Sequence, residues 1–205
     1  MEKIKISKLV EQLISSDKDQ YDFCDIVELD NALNRHIHIG NIDSTVADSL
    51  ESYIRFFNRM DEEEGIPEDE REPIKIFIDS HGGDLVATFT MIDAILLSKT
   101  PVWTINIGCA YSGGFFIFLA GARRLSYSFA SFLFHEGSTA NGGDANKFNN
   151  FADFYKIQLK QLREFTIKNT NITQDVYEKH MKDDWWFSAR EAIRYGICDE
   201  IVTSF

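Results

Sequence analysis

Residues 108 to 116 read GCAYSGGFF and place one hydroxyl, that of Ser112, between a tyrosine and two glycines. The apolar run "GFFIFLAGA" resumes behind it, so Ser112 stands at a strand-to-helix corner. A helix start presents unpaired N–H groups and a partial positive charge. There a serine Oγ is exposed, and the Gly113 amide is aimed at any oxyanion formed beside it. Glycine has no Cβ, which lets a substrate backbone approach. A second pair, Gly82-Gly83, ends the run "IKIFIDSHGG" and offers a partner amide from a neighbouring strand end. The plainer reading makes Ser112 a helix cap and the glycines packing residues, and this stretch alone leaves both standing.

A nucleophilic serine requires a base. The five histidines are His36, His38, His81, His135 and His180. His135 closes the β-run "SFLFHE" and falls at the same sheet edge as Ser112, although a strand-end histidine also serves as a polar boundary residue. His36 and His38 share one strand face, a two-ligand metal candidate without a nearby carboxylate. His180 falls on a helix and reads as solvated. "KDDWW" sets Asp183 and Asp184 before an apolar pair, where one of them is shielded enough to orient an imidazole. A serine–histidine–aspartate set is therefore available without being uniquely selected.

The elements that position these residues follow from periodicity. "RHIHIGNI" (35–42) alternates as a strand does. "STVADSLESYIRFFNRM" (44–60) carries Val46, Leu50, Ile54 and Phe57 at helical spacing, with Ser44 as its N-cap. Strands are expected at 74–80, 102–108, 123–128 and 131–136, and helices at 85–98 and behind Ser112. A long polar helix is expected over 144–168, where Phe148, Phe151, Phe154 or Tyr155, Leu159 and Leu162 recur at steps of three and four. "SARE" (188–191) is a capping box opening a helix that Gly196 ends, and "ICDEIVTS" closes as a strand. Strand–helix alternation predicts an α/β domain with a largely parallel sheet, its chemistry at the carboxyl ends of the strands.

Composition narrows the function classes. A chain of 205 residues holds one sizeable core. The net charge of −12 speaks against a nucleic-acid binder, which needs a basic surface. Much of the acid lies in "MDEEEGIPEDERE" (60–72), which reads as a solvated loop. Cys24, Cys109 and Cys198 are scattered, so neither a disulfide framework nor a zinc site follows, and reduced cytoplasmic thiols are expected. The amino terminus lacks the apolar core of a signal peptide, and the run near 113–122 is too short to span a membrane. "SSDKDQYD" (15–22) reads as a flexible turn.

From "RHIHIGNI" to "DEIVTSF" the chain resembles the proteolytic subunit of the Clp protease (ClpP). "IFIDSHGGD" is similar to that family's strand and Ser-Pro-Gly-Gly loop. "INIGCAYSGGFFIFLAGARRLSYSFASFLFH" resembles its nucleophile segment and the strand ending on its histidine. "DDWWFSAREAIRYGICDEIV" resembles its Asp-x-Phe-x-Ser-Ala-x-Glu-Ala signature. The resemblance implies a ClpP/crotonase-like α/β fold of repeated ββα units with a protruding handle helix at about 144–168. It implies a serine endopeptidase with Ser112 as nucleophile, His135 as base and Asp184 as third member. Gly83 and Gly113 would form the oxyanion hole, without metal or organic cofactor. It further implies a homo-oligomeric barrel of stacked heptamers, peptide substrates, and an AAA+ unfoldase ATPase as partner. Residues 1–34 form a divergent segment in the place of the family's axial loops, and 35–205 the peptidase domain.

The chain departs from the family pattern at three points. His81 replaces the loop proline, Glu136-Gly137 replaces Gln-Pro, and Asp183 stands where an arginine is common. Three rival readings follow: a catalytically silent or partner-activated scaffold subunit, a signal-peptide-peptidase-like serine–lysine enzyme, and an acyl-CoA-binding relative of the crotonase type.

Overall fold

A computed structural model describes residues 23–137, 139 and 144–204, so the turn expected at 15–22 lies outside the described residues. Helix α1 (Phe23–Leu33) leads to β1 (His36–Ile42), α2 (Ser44–Glu63), a 3-10 turn (Glu68–Glu70), β2 (Ile74–Gly83) and α3 (Leu85–Leu97). Then come β3 (Val102–Tyr111), α4 (Gly113–Leu119), β4 (Arg123–Ser126), β5 (Ser131–Phe134) and α5 (Ala145–Asn169). The chain closes with α6 (Gln174–His180), β6 (Trp185–Ser188), α7 (Ala189–Arg194) and β7 (Glu200–Ile201).

The strands form one sheet in the order β1-β2-β3-β4-β7, with β5 beside β3 and β6 beside β5. Every pairing is parallel except β5–β6. This is the α/β architecture that the alternation of elements predicts. Period-2 alternation buries Ile74, Ile76 and Ile78 of β2, all at 0% exposure, on one face. The core there includes Leu50, Ile54 and Phe57 of α2, Met91 and Ile95 of α3, and all of α4. Each such side chain contributes about 1.5–3 kcal/mol. By contrast, α5, the long helix expected over 144–168, buries only Leu162 and Thr166 along its 25 residues.

Several boundaries moved, each for a physical reason. Asp43, not Ser44, caps α2: its backbone is extended, and its carboxylate accepts the Val46 N–H at 2.9 Å. That bond holds the Asp43 carboxyl below its ordinary range. Strands β2 and β3 run past their expected ends, to Gly83 and Tyr111, because their ladders continue there. Helix α1 and strand β6 have no counterpart in the periodicity; β6 is a strand through its pairing with β5. The closing strand shortens to two residues. The capping box at Ser188 and the stop at Gly196, with φ +66°, are as expected.

The acidic run is not wholly a solvated loop. Helix α2 extends into it, and Asp61 is 0% exposed. Its carboxylate accepts two hydrogen bonds from Arg35, at 2.6 and 2.8 Å, and one from Thr100 at 2.7 Å. Burial alone would raise the Asp61 carboxyl, but these donors outweigh it and the group lies below its ordinary range. The pair ties the entrance of β1 to the end of α2 and the turn before β3.

Removing one partner of a buried pair strands the other charge. Asp61→Ala is expected to lower unfolding free energy by about 3–5 kcal/mol in urea denaturation at pH 7. Because the folded-state pKa is depressed, the contribution is complete above the unfolded carboxylate pKa of about 3.9. It disappears as pH falls through the folded value. A loss under about 1 kcal/mol, the range of surface pairs, would show that the pair does not hold these elements together.

Candidate active site

Ser112 sits between β3 and α4 with φ +52° and ψ −119°. Among the described non-glycine residues only Arg35 shares a positive φ. Such a conformation costs a serine about 1–3 kcal/mol and persists where the surroundings over-determine it. The surroundings here are α4, whose residues are all buried, and the Ser112 N–H, which donates to the Leu133 carbonyl at 3.0 Å. Although Ser112 occupies the N-cap position, its hydroxyl makes no capping hydrogen bond. The structural role that a cap would give this side chain is thus unfilled.

Strand register brings the histidine and one aspartate to the serine. In the parallel β3–β5 ladder Tyr111 faces Leu133, so the chain leaves β3 at Ser112 as β5 nears His135. In the antiparallel β5–β6 ladder Phe134 faces Trp185. One step further, His135 stands opposite Asp184, and the imidazole Nδ1 lies 3.5 Å from Asp184 Oδ1. Asp183 instead uses its N–H to close the turn onto the His180 carbonyl, at 3.0 Å. The Nε2 of His135 is buried and has no hydrogen-bond partner.

The glycines explain how the other side of the site closes. A Cβ on Gly83 would run into the Ile42 carbonyl of β1. One on Gly82, where φ is +99°, would lie 2.7 Å from Ser112 Cβ and 3.1 Å from the Gly113 nitrogen. One on Gly113 would lie 2.5 Å from Thr88 Oγ1 and 3.6 Å from the Gly83 nitrogen. The backbone at Gly82-Gly83 and the start of α4 therefore pack without side chains between them, and the Gly83 and Gly113 amides are neighbours. Ser80, with 0% exposure, supports the turn by accepting the Gly82 N–H at 3.1 Å.

Ser112, Gly83, Gly113 and His135 line one cleft of about 380 Å³. Its far wall is α5, through Phe151, Tyr155, Gln158 and Leu162. Of the stripe expected on that helix, Phe151, Tyr155 and Leu162 face the cleft, while Phe148 and Phe154 are exposed. No lysine is among the described residues of the lining.

The remaining histidines have other partners. The rings of His36 and His38 contact the Phe77 ring at centroid distances of 5.1 and 4.9 Å. Among the described residues no group of three or more metal-ligating side chains occurs. His180 is half-buried rather than solvated, its ring stacked 4.0 Å from Trp185 at the end of α6. His81, in β2 just before the glycine pair, packs edge-on to Tyr111 at 5.3 Å. Beside the cleft, periodicity gave no sign of Tyr177. It is 1% exposed and donates its hydroxyl to Glu136 Oε1 at 3.3 Å. A tyrosine in a short polar helix carries no local signal of that contact.

A family model described as Clp protease matches residues 31–205. The chain is 31% identical over 139 residues to an ATP-dependent Clp protease proteolytic subunit 2 of Bifidobacterium longum, covering 67% of each chain. It is 31% identical over 136 residues to the subunit of the same name in Borreliella burgdorferi, covering 65% of this chain and 69% of that one. A longer match, 28% over 172 residues, joins it to a proteolytic subunit 1 of Shouchella clausii, covering 82% and 85%.

Gly82 and Gly65 separate close approach from backbone conformation. Both have positive φ, but a Cβ on Gly65 would meet nothing within 4 Å. Gly65→Ala is expected to cost about 1–2 kcal/mol from conformation alone. Gly82→Ala should cost about 1–3 kcal/mol more, through overlap with Ser112. Equal losses in urea denaturation would remove the close-approach account of this loop.

Proposed function

The chain belongs to the Clp protease family, and from that membership we propose a serine endopeptidase whose nucleophile is Ser112, with His135 as general base and Asp184 as its orienting partner. The observation that carries the reading is the meeting of three strand ends around His135. A strained serine without a capping bond and a histidine with an unpartnered buried Nε2 line one cleft, and an aspartate stands 3.5 Å from the histidine Nδ1.

The chemistry follows from those atoms. The Ser112 Oγ attacks the carbonyl carbon of a peptide bond, and His135 Nε2 takes its proton. Asp184 accepts from Nδ1–H, which fixes the tautomer and stabilises the imidazolium. The Gly83 and Gly113 amides donate to the oxyanion of the tetrahedral intermediate. His135 returns the proton to the leaving amine, and a water, activated by the same imidazole, hydrolyses the acyl-enzyme. Catalytic hydrogen bonds of this kind are often long in the free enzyme and tighten around substrate. Among its described residues the lining of the cleft has no lysine, which disfavours the serine–lysine alternative.

Residues 35–205 form the peptidase domain in this reading. The chain works among reduced thiols in the cytoplasm as a barrel of stacked heptameric rings. Helix α5 is the handle between rings, and the partner is an unfoldase ATPase that delivers unfolded chains. Among the described residues no helix is long and apolar enough to cross a membrane. The 3.5 Å separation at Asp184 and the unpartnered Nε2 favour one second reading, a subunit whose site is completed by its partner.

A serine-reactive fluorophosphonate tests the proposal on the purified full-length assembly. Label is expected on Ser112 and absent in Ser112→Ala. His135→Ala should slow labelling by about 100- to 10,000-fold, the usual worth of a general base. Label on another residue, or labelling that is indifferent to His135, would refute the reading. Label appearing only after an unfoldase is added would support the partner-completed site.

A further inference from the structure

Tyr177 touches both chain neighbours of His135. Its ring packs on Phe134, the residue before, at 4.9 Å and 63°. Its hydroxyl donates to Oε1 of Glu136, the residue after, at 3.3 Å. The Glu136 backbone carbonyl is held as well, by the Tyr155 hydroxyl of α5 at 3.2 Å. Tyr177 belongs to α6, the helix whose end leads to Asp184. One buried tyrosine thus links the segment carrying the histidine to the segment carrying the aspartate.

The bond matters because Glu136 is an acid beside an imidazole. Burial raises the Glu136 carboxyl and also pushes the Tyr177 hydroxyl up. The other charged and titratable groups here are accounted for. Arg163 of α5 acts on Glu136 by its charge but pairs with Glu178 at 3.9 Å. Asp184 takes the Nδ1 side of His135, and Asp84, across the cleft, caps α3 through the Ala87 N–H. Among the described residues no ion pair joins Glu136 to His135, and its carboxylate is held by Tyr177 instead.

We propose that Tyr177 is a positioning residue for the base: it holds the Glu136 carboxylate on the α6 side and keeps that charge off the His135 imidazole. The inference rests on the reading of Ser112 and His135 as nucleophile and base. A released carboxylate within about 4–6 Å of the ring favours imidazolium. Only the neutral ring accepts the serine proton, so release lifts the acid limb of activity to higher pH.

The test is the pH profile of fluorophosphonate acylation of Ser112 in the full-length assembly. It compares wild type, Tyr177→Phe, Glu136→Gln and the double variant. Tyr177→Phe keeps the ring on Phe134 and removes only the hydroxyl. Its acid limb should move up by about half to one pH unit, slowing acylation roughly 3- to 10-fold below the limb and little above it. The double variant should follow the Glu136→Gln profile, since no charge remains to be restrained. A purely structural tyrosine would lower the rate at every pH, whatever stands at residue 136. An unmoved limb in Tyr177→Phe, or the same upward shift in the double variant, overturns the proposal. Should Tyr177→Phe fail to assemble, Tyr177→Met replaces it as the hydroxyl-free variant, with the same expectations. Absence of label in wild type, both alone and with an unfoldase added, would instead refute the reading of Ser112 and His135, and this proposal with it.

Discussion

The ladder running from β3 through β5 to β6 is the constraint on which the cleft depends. Parallel pairing of Tyr111 with Leu133 and antiparallel pairing of Phe134 with Trp185 leave no freedom in what comes next. Ser112, His135 and Asp184 each follow or precede the last paired residue of a strand. A slip of one residue in either ladder would turn the histidine or the aspartate to the opposite face of the sheet. The Ser112 N–H bond to Leu133 ties the serine backbone into the same ladder.

That arrangement is strained at its centre, and the core sustains it. The positive φ of Ser112 costs about 1–3 kcal/mol. Behind it, Phe115, Ile117 and Phe118 are each 0% exposed, and burying each is worth about 1.5–3 kcal/mol. Burial of α4 therefore outweighs the strain at its first residue by a wide margin. This short helix is apolar all round because it is enclosed by β2 and β3 together with α3 and α5. The two glycine pairs allow the enclosure by letting backbone meet backbone.

Charge in this acidic chain is used in several distinct ways. Asp43, Asp84 and Asp144 cap helices by accepting backbone N–H groups. Asp61 is buried against Arg35, and Asp184 faces His135. Glu136 is the unusual member, because it sets a carboxylate next to the histidine proposed as the base. A hydrogen bond from α6 governs where that carboxylate sits. The helix that leads to the aspartate thereby also acts on the far side of the histidine.

Local signals were legible in the sequence. Helical spacing located α2 and the long helix α5, alternation located β1, the capping box and Gly196 bounded α7, and paired glycines marked the two segments that meet at the serine. From those signals an α/β domain with its chemistry at the strand ends follows without coordinates. The residues alone left Asp183 and Asp184 undecided, and it was resemblance that pointed to Asp184. Tertiary structure decided what lies across the chain: that Asp184 faces His135, that Asp61 is buried, that His36 and His38 flank Phe77, and that Tyr177 reaches Glu136. Periodicity reports which face of an element is apolar, because burial repeats along the element. It carries no record of which residue of another element stands opposite, since register and side-chain pairing are set by the closing of the sheet and the packing of helices on it.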